Sequence, residues 1–271
     1  MQALDYDNLQ KWSPWFTQIL SEISDDQLIS ELCNTRFKFI DDARDHVVCR
    51  LGLNRIVEHL TDRLADRQVI FHHGTRLLES EIDLIRKEGL RSLDLQERAP
   101  SLRSILSAHP RWPQVEGQFD NAILKFGSGA FAGLREDGCV HACFSRSALL
   151  RGCSHYLAYG AEVDGHVAHS LFNDHSANEL LSCARRGLIV SFSAGFREAL
   201  SAANPSGVPS GELPSLLNIF LSAWAYSQAV PTFDLTSQSD CTAARFQRPV
   251  SPSEFVMLSP IDDKDIDFAS A

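Results

Sequence analysis

The run Val69-Ile70-Phe71, passing directly into His72-His73-Gly74-Thr75-Arg76, constrains this chain more than any other stretch. Three β-prone apolar residues in succession read as a short strand, and the glycine within a polar pentad reads as its terminating turn. A helix is expected from Ser80, with Asp83 at the capping-box spacing, Ile82 and Ile85 on one side, and Gly89 at the C′ position. The unit is therefore strand, His-Gly-Thr, helix, Gly-Leu. A glycine beside a histidine at a strand end admits a ligand to the backbone, whose N–H and C=O then pair with a polar group. The plainer alternative is a turn glycine between two polar neighbours.

Around this unit the chain is organised unevenly. Residues 1–66 read as a helical N-terminal region. Leu28, Leu32 and Phe39, then Val48, Leu51, Ile56 and Leu60, recur at helical spacing, and Ser24 with Gln27 has the form of a capping box. Residues 91–137 look irregular, interrupted by Pro100, Pro110 and Pro113. Gly127, Gly129 and Gly133 follow no clear βαβ pattern, so a dinucleotide-binding loop is a weak reading there. Further strands are expected at 139–144, Glu162–Phe172, Leu188–Phe192, Ala244–Phe246 and Phe255–Leu258. Helices are expected through Tyr156 as far as Gly160 and over Leu216–Tyr226, with a loop at 204–214. The segment 67–260 forms the main domain and 261–271 an exposed acidic tail.

The net charge is −10, but 1–66 carry 12 acids against 7 bases, and 261–271 carry four Asp against one Lys. The remainder, 67–260, is nearly balanced at 19 acids and 17 bases. The overall acidity disfavours a protein that binds nucleic acid non-specifically through its backbone; the balanced centre leaves room for an anionic small molecule. No uninterrupted apolar run of about 18 residues suggests a membrane span, and Met1-Gln-Ala-Leu-Asp-Tyr-Asp lacks a signal-peptide pattern. Seven scattered cysteines, an odd number, argue against a disulfide framework and for a reducing, cytoplasmic setting. Cys139 and Cys143 have no second half that would complete a zinc finger.

His73-Gly74-Thr75, with the helix ending in Glu-Gly-Leu90, resembles the opening of the ADP-ribosyltransferase superfamily of toxin and PARP-like folds. In that family a second strand ends in an aromatic or Ser-Thr-Ser element before a helix, which Phe144-Ser145-Arg146-Ser147 matches in part. A third strand carries a glutamate, for which Gln238-Ser239-Asp240, Gln247 and Glu162 compete. The resemblance covers 68–258 and implies an α+β fold with a mixed or antiparallel β core behind the helical N-terminal region. It implies NAD⁺ as substrate, cleaved at the nicotinamide–ribose bond through an oxocarbenium-like state, with water, a protein or a nucleic acid as acceptor. Folds of this kind often belong to toxins or effectors acting in another cell. On this resemblance His73 holds a ribose, Gly74 the carboxamide, and Thr75 supports the turn. Phe144, Tyr156 or Tyr159 stacks on nicotinamide, and Arg76 or Arg146 meets the diphosphate. Asp240, with Gln238, or else Glu162, orients the ribose 2′-hydroxyl.

Two readings from other classes stay open. Glu162, Asp164, His166, His169 and His175 include good ligands for zinc or iron, so a metal-dependent enzyme is one alternative. A catalytically silent module binding NAD⁺ or a partner is the other. Nucleophilic hydrolysis has little support: no Gly-x-Ser-x-Gly occurs, and Cys143 or Cys153 with His141 or His155 is a pairing common by chance.

Overall fold

The computed structural model describes residues 3–127, 138–174, 176–237 and 243–266. Gln238, Asp240 and His175 lie outside these residues, as do Gly129 and Gly133. The protein is α+β. Five strands, β1 (Gln68–Leu77), β2 (Val140–Cys143), β3 (Arg186–Gly195), β4 (Ala243–Phe246) and β5 (Phe255–Ile261), form one sheet in the order β4-β2-β1-β3-β5. Every pairing is antiparallel.

The His-Gly-Thr segment does not turn. β1 continues through it to Leu77, paired with β3 from Gln68↔Gly195 to Leu77↔Arg186. A ten-residue register with a strand as apolar as Leu188–Phe192 outweighs the local preference of a single glycine. That glycine serves packing: a Cβ at Gly74 would lie 3.1 Å from Leu149 Cδ2 and 3.4 Å from Leu157 Cδ2. The helix begins at Glu79 rather than Ser80. Its N-terminal box is closed by Glu81, which accepts from the Leu78 N–H at 2.8 Å, so the expected role of Asp83 falls to Glu81. Gly89 ends that helix at φ +93°, and a Cβ there would meet the Val250 carbonyl at 2.1 Å, so glycine is required.

Strand alternation sends Val69 and Phe71 into a large core containing Phe144, Phe192 and Phe246. Trp12, Phe16 and Leu20 of the N-terminal helices and Phe220 and Trp224 of the helix Ser215–Ala229 belong to the same core. Ser24 is not a helix cap. Its N–H closes the preceding helix onto Leu20 O, and Asp25 accepts from Gln27 N instead. The opposite face of β1 meets a smaller cluster that includes Leu149, Leu157, Ile189, Ile261 and Ile266. Residues 261–266 are therefore folded against the sheet rather than forming an exposed tail. Two isoleucines buried there outweigh the solvation of their acidic neighbours.

A third cluster joins helices Leu95–Leu106, Phe119–Gly127, Glu162–Phe172 and Ser176–Ala184. The irregular reading of 91–137 gives way to helices within 91–127, and 128–137 lie outside the described residues. Asp94 caps the first of these helices by accepting from Gln96 and Glu97 N–H groups. Glu162–Phe172 is likewise a helix and not a strand. Val163, Val167, Ala168, Leu171 and Phe172 form a buried stripe at helical spacing, and this outweighs the alternation of Glu162, Asp164 and His166. Among the described residues no helix is long and apolar enough to cross a membrane. Cys33, Cys49, Cys139, Cys143, Cys153 and Cys183 are free thiols.

Candidate functional site

β1 is ten residues long and β2 only four, and the two share a single register pair, His72↔Cys143. Beyond that pair the strands part. The His73 imidazole lies between them, its Nδ1 2.7 Å from the His141 carbonyl. A carbonyl oxygen only accepts, so the proton sits on Nδ1 and Nε2 presents a lone pair. Burial lowers the His73 pKa, with the His141 hydrogen bond opposing it, so the neutral ring is favoured.

A cavity of about 560 Å³ opens where the strands part. Its lining includes His73, Gly74 and Thr75 of β1, Cys139, Val140 and His141 at β2, Tyr156, and Glu162, Val163 and His166 of the helix Glu162–Phe172. The helix Glu79–Glu88 and the segment 89–98 close the other side with Glu81, Ile85, Leu90, Arg91, Glu97 and Arg98. This size suits a small-molecule ligand. Glu162 is the first residue of its helix, and its Oε1 accepts from the Tyr156 hydroxyl at 2.9 Å, which fixes the carboxylate in the cavity. His166 follows one helical turn later.

The wall behind Glu162 is an ion network. Asp164 is fully buried. The Arg98 guanidinium grips it through Nε at 2.9 Å to both oxygens and through Nη2 at 2.6 Å to Oδ2; Arg185 Nη1 donates to Oδ2 as well. Glu81 completes the set, accepting from Arg98 Nη1 at 3.4 Å and from Ser101 Oγ at 3.1 Å. Burial disfavours the charge on Arg98, but Asp164 outweighs it and the pKa rises. At Arg185 burial prevails and the pKa falls.

Several residues expected at the site lie elsewhere. Phe144 is buried in the main core, its ring 4.8 Å from that of Phe71, and cannot stack on a ligand. Tyr159 packs against the small cluster beneath the sheet, and Tyr156 supplies the cavity's aromatic ring. Arg76 points to the face opposite His73, 3% exposed, where it pairs with Asp263 at 2.8 Å and donates to Ser182 and Leu157 carbonyls. Its charge is committed to holding 262–265. Ser145, Arg146 and Ser147 surround the Asp7 carboxylate, which accepts from both hydroxyls and from the backbone N–H groups of Arg146 and Ser147 at 2.6–3.3 Å. The partial second motif thus binds the protein's own N-terminal segment. Gln247 is exposed just beyond β4. With Asp164 committed to arginines, the metal alternative loses one ligand; among the described residues no three His, Cys, Asp or Glu side chains gather to hold an ion. His141, Glu81 and Arg98 were not singled out from sequence as lining a ligand site, because a strand pairing and a helix crossing bring them there.

His72 shows how alternation separates neighbours. It is 4% exposed, with Nδ1 2.9 Å from Ser191 Oγ and Nε2 buried without a partner. Its pKa is lowered to about 4, chiefly by burial, against the pull of Asp7 and with the help of Arg146. The unfolded ring titrates near 6.5, so stability from the neutral ring is complete above that pH and is lost as pH falls towards 4, at a cost of up to about 3 kcal/mol. Urea unfolding at pH 7 and pH 4.5 should show a smaller loss in His72→Gln than in wild type. Equal losses would remove His72 from the acid response.

No family model, curated protein or solved structure was found to match this chain.

Proposed function

We propose that the β1–β2 cavity binds NAD⁺ and that the protein cleaves the nicotinamide–ribose bond, passing ADP-ribose to an acceptor or to water. One observation carries this reading: His73-Gly74-Thr75 and Glu162, distant in sequence, line a single cavity together with Tyr156. An antiparallel core with the His-Gly-Thr strand at its centre is what an ADP-ribosyltransferase-like fold calls for. The roles follow from the chemistry. His73 Nε2 accepts a hydrogen bond from a ribose hydroxyl. The backbone at Gly74 pairs with the carboxamide, and Tyr156 packs on the nicotinamide ring. Glu162, in the role for which Asp240 and Gln238 competed, orients the 2′-hydroxyl and offsets positive charge developing on the sugar. Breaking the nicotinamide–ribose bond calls on positioning and a fixed negative charge more than on a protein nucleophile.

Calorimetric titration with NAD⁺ and an assay for released nicotinamide test the proposal. Wild type should bind and turn over NAD⁺. His73→Ala should bind about tenfold more weakly, the effect of losing one hydrogen bond of ~1.4 kcal/mol. A wild-type protein that gives neither binding heat nor nicotinamide ends the reading.

A further inference from the structure

The cavity is lined by a further imidazole to which the NAD⁺ reading gives no role. His166 lines it, is exposed, and stands four residues after Glu162 on the helix Glu162–Phe172. Positions i and i+4 share a helix face, with Cβ atoms about 6 Å apart. If Glu162 marks the anomeric carbon, His166 is one turn from it, within range of a nucleophile approaching that carbon.

Several of the cavity's other groups are ill suited to accept a proton. Arg91 and Arg98 have none to gain: Arg91 pairs with Glu97 at 3.0 Å, and Arg98 with Asp164. Glu81 is occupied by Arg98, Ser101 and the Leu78 N–H. His73 is wedged against the His141 carbonyl, where a second proton would place a cation in the part of the cavity that shelters the ring. His166 combines exposure, an imidazole and a place in the cavity one helical turn from Glu162. Of the other imidazoles nearby, His141 belongs to β2, where its carbonyl holds His73, and His155, with Nε2 3.6 Å from Glu162 Oε1, is paired with the carboxylate itself.

We infer that His166 is the general base for a hydroxyl acceptor, water or an alcohol, attacking the ribose in this cavity; the inference rests on the NAD⁺ reading. Water and alcohols hold their protons too tightly to attack as neutral molecules without releasing one, and a neutral imidazole takes it. In the step, the acceptor oxygen bonds to C1′ and the C1′–N bond to nicotinamide breaks. That bonding pair neutralises the pyridinium nitrogen, and the acceptor proton passes to the imidazole and then to solvent.

Nicotinamide exchange separates the two halves of the reaction. Recapture of the sugar by labelled nicotinamide needs bond cleavage but no base, whereas hydrolysis needs both. His166→Ala and His166→Asn should lose hydrolysis about 100-fold in kcat with KM within threefold. Exchange of labelled nicotinamide into NAD⁺ should stay within threefold of wild type, and added imidazole should restore hydrolysis to His166→Ala. Methanol in the assay distinguishes the acceptors, giving methyl ADP-ribose where an alcohol is accepted and ADP-ribose where only water is. Hydrolysis and exchange falling together, or neither falling, overturns the role of His166. If wild type turns over NAD⁺ while the His166 variants behave as wild type, only this inference fails. If wild type neither binds nor cleaves NAD⁺, the functional reading fails with it.

Discussion

Glu162→Gln should lower nicotinamide release by about 10²–10³-fold, the usual cost of removing one preorganised electrostatic group, while NAD⁺ affinity changes by less than about threefold. Glutamine has nearly the shape of glutamate, and its amide oxygen can still accept from the Tyr156 hydroxyl that now meets Oε1 at 2.9 Å. The substitution therefore isolates the charge from the position. A kcat loss without a KM change means that the carboxylate acts chiefly in the transition state, as an oxocarbenium-like sugar requires. Single-turnover release of nicotinamide, alongside calorimetric binding, reads both quantities. Should Glu162→Gln release nicotinamide at the wild-type rate, the acid of this site lies elsewhere, and Asp240 becomes the residue to change.

Asp164→Ala should produce the largest loss of stability of any single substitution near the cavity. Asp164 is fully buried and is the shared partner of Arg98 and Arg185, whose side chains are 10% and 0% exposed. Removing the carboxylate leaves two guanidinium groups facing each other in a dry wall with only Glu81 to offset them, at a cost of about 3–5 kcal/mol. For a chain of this length that corresponds to a fall in melting temperature of roughly 10 °C. Asp164→Asn keeps the volume and should lose nearly as much, because an amide cannot neutralise either arginine. Arg98→Met with Asp164→Leu should recover part of the loss, since a buried charge group replaced as a unit by apolar residues costs far less than one broken open. Melting curves of these variants test the argument, and an Asp164→Ala protein as stable as wild type would refute it.

The parts of this fold that can be read from sequence are those set by near neighbours. Val69-Ile70-Phe71 declares a strand, Gly89 declares a helix end, and Leu216–Tyr226 declares a buried helix, each from residues within a few positions. Misreadings arose where partners distant in sequence decide. Glu162, Asp164 and His166 alternate like a strand, yet Asp164 has its arginines on two other elements, and the apolar stripe from Val163 to Phe172 needs the helices at 95–127 and 176–184 to receive it. Arg76 has the composition of a phosphate ligand, but its direction depends on the parity of β1, which sends it to Asp263 and not to the cavity. His73 and Glu162 were each legible as candidates. Their meeting was not, because it depends on β2 stopping short and parting from β1.

The first residues of the chain illustrate the same economy. Leu4 donates its N–H to Gln68 O and accepts from Ile70 N, and Asp7 fastens that segment to the start of the helix Arg146–Arg151. They fill the flank of the central strand on the side where β2 does not reach. A bare flank of this kind leaves backbone donors and acceptors without partners, and Leu4, bridged in parallel to Val69, takes up those at the start of β1 as a single-residue extension of the sheet.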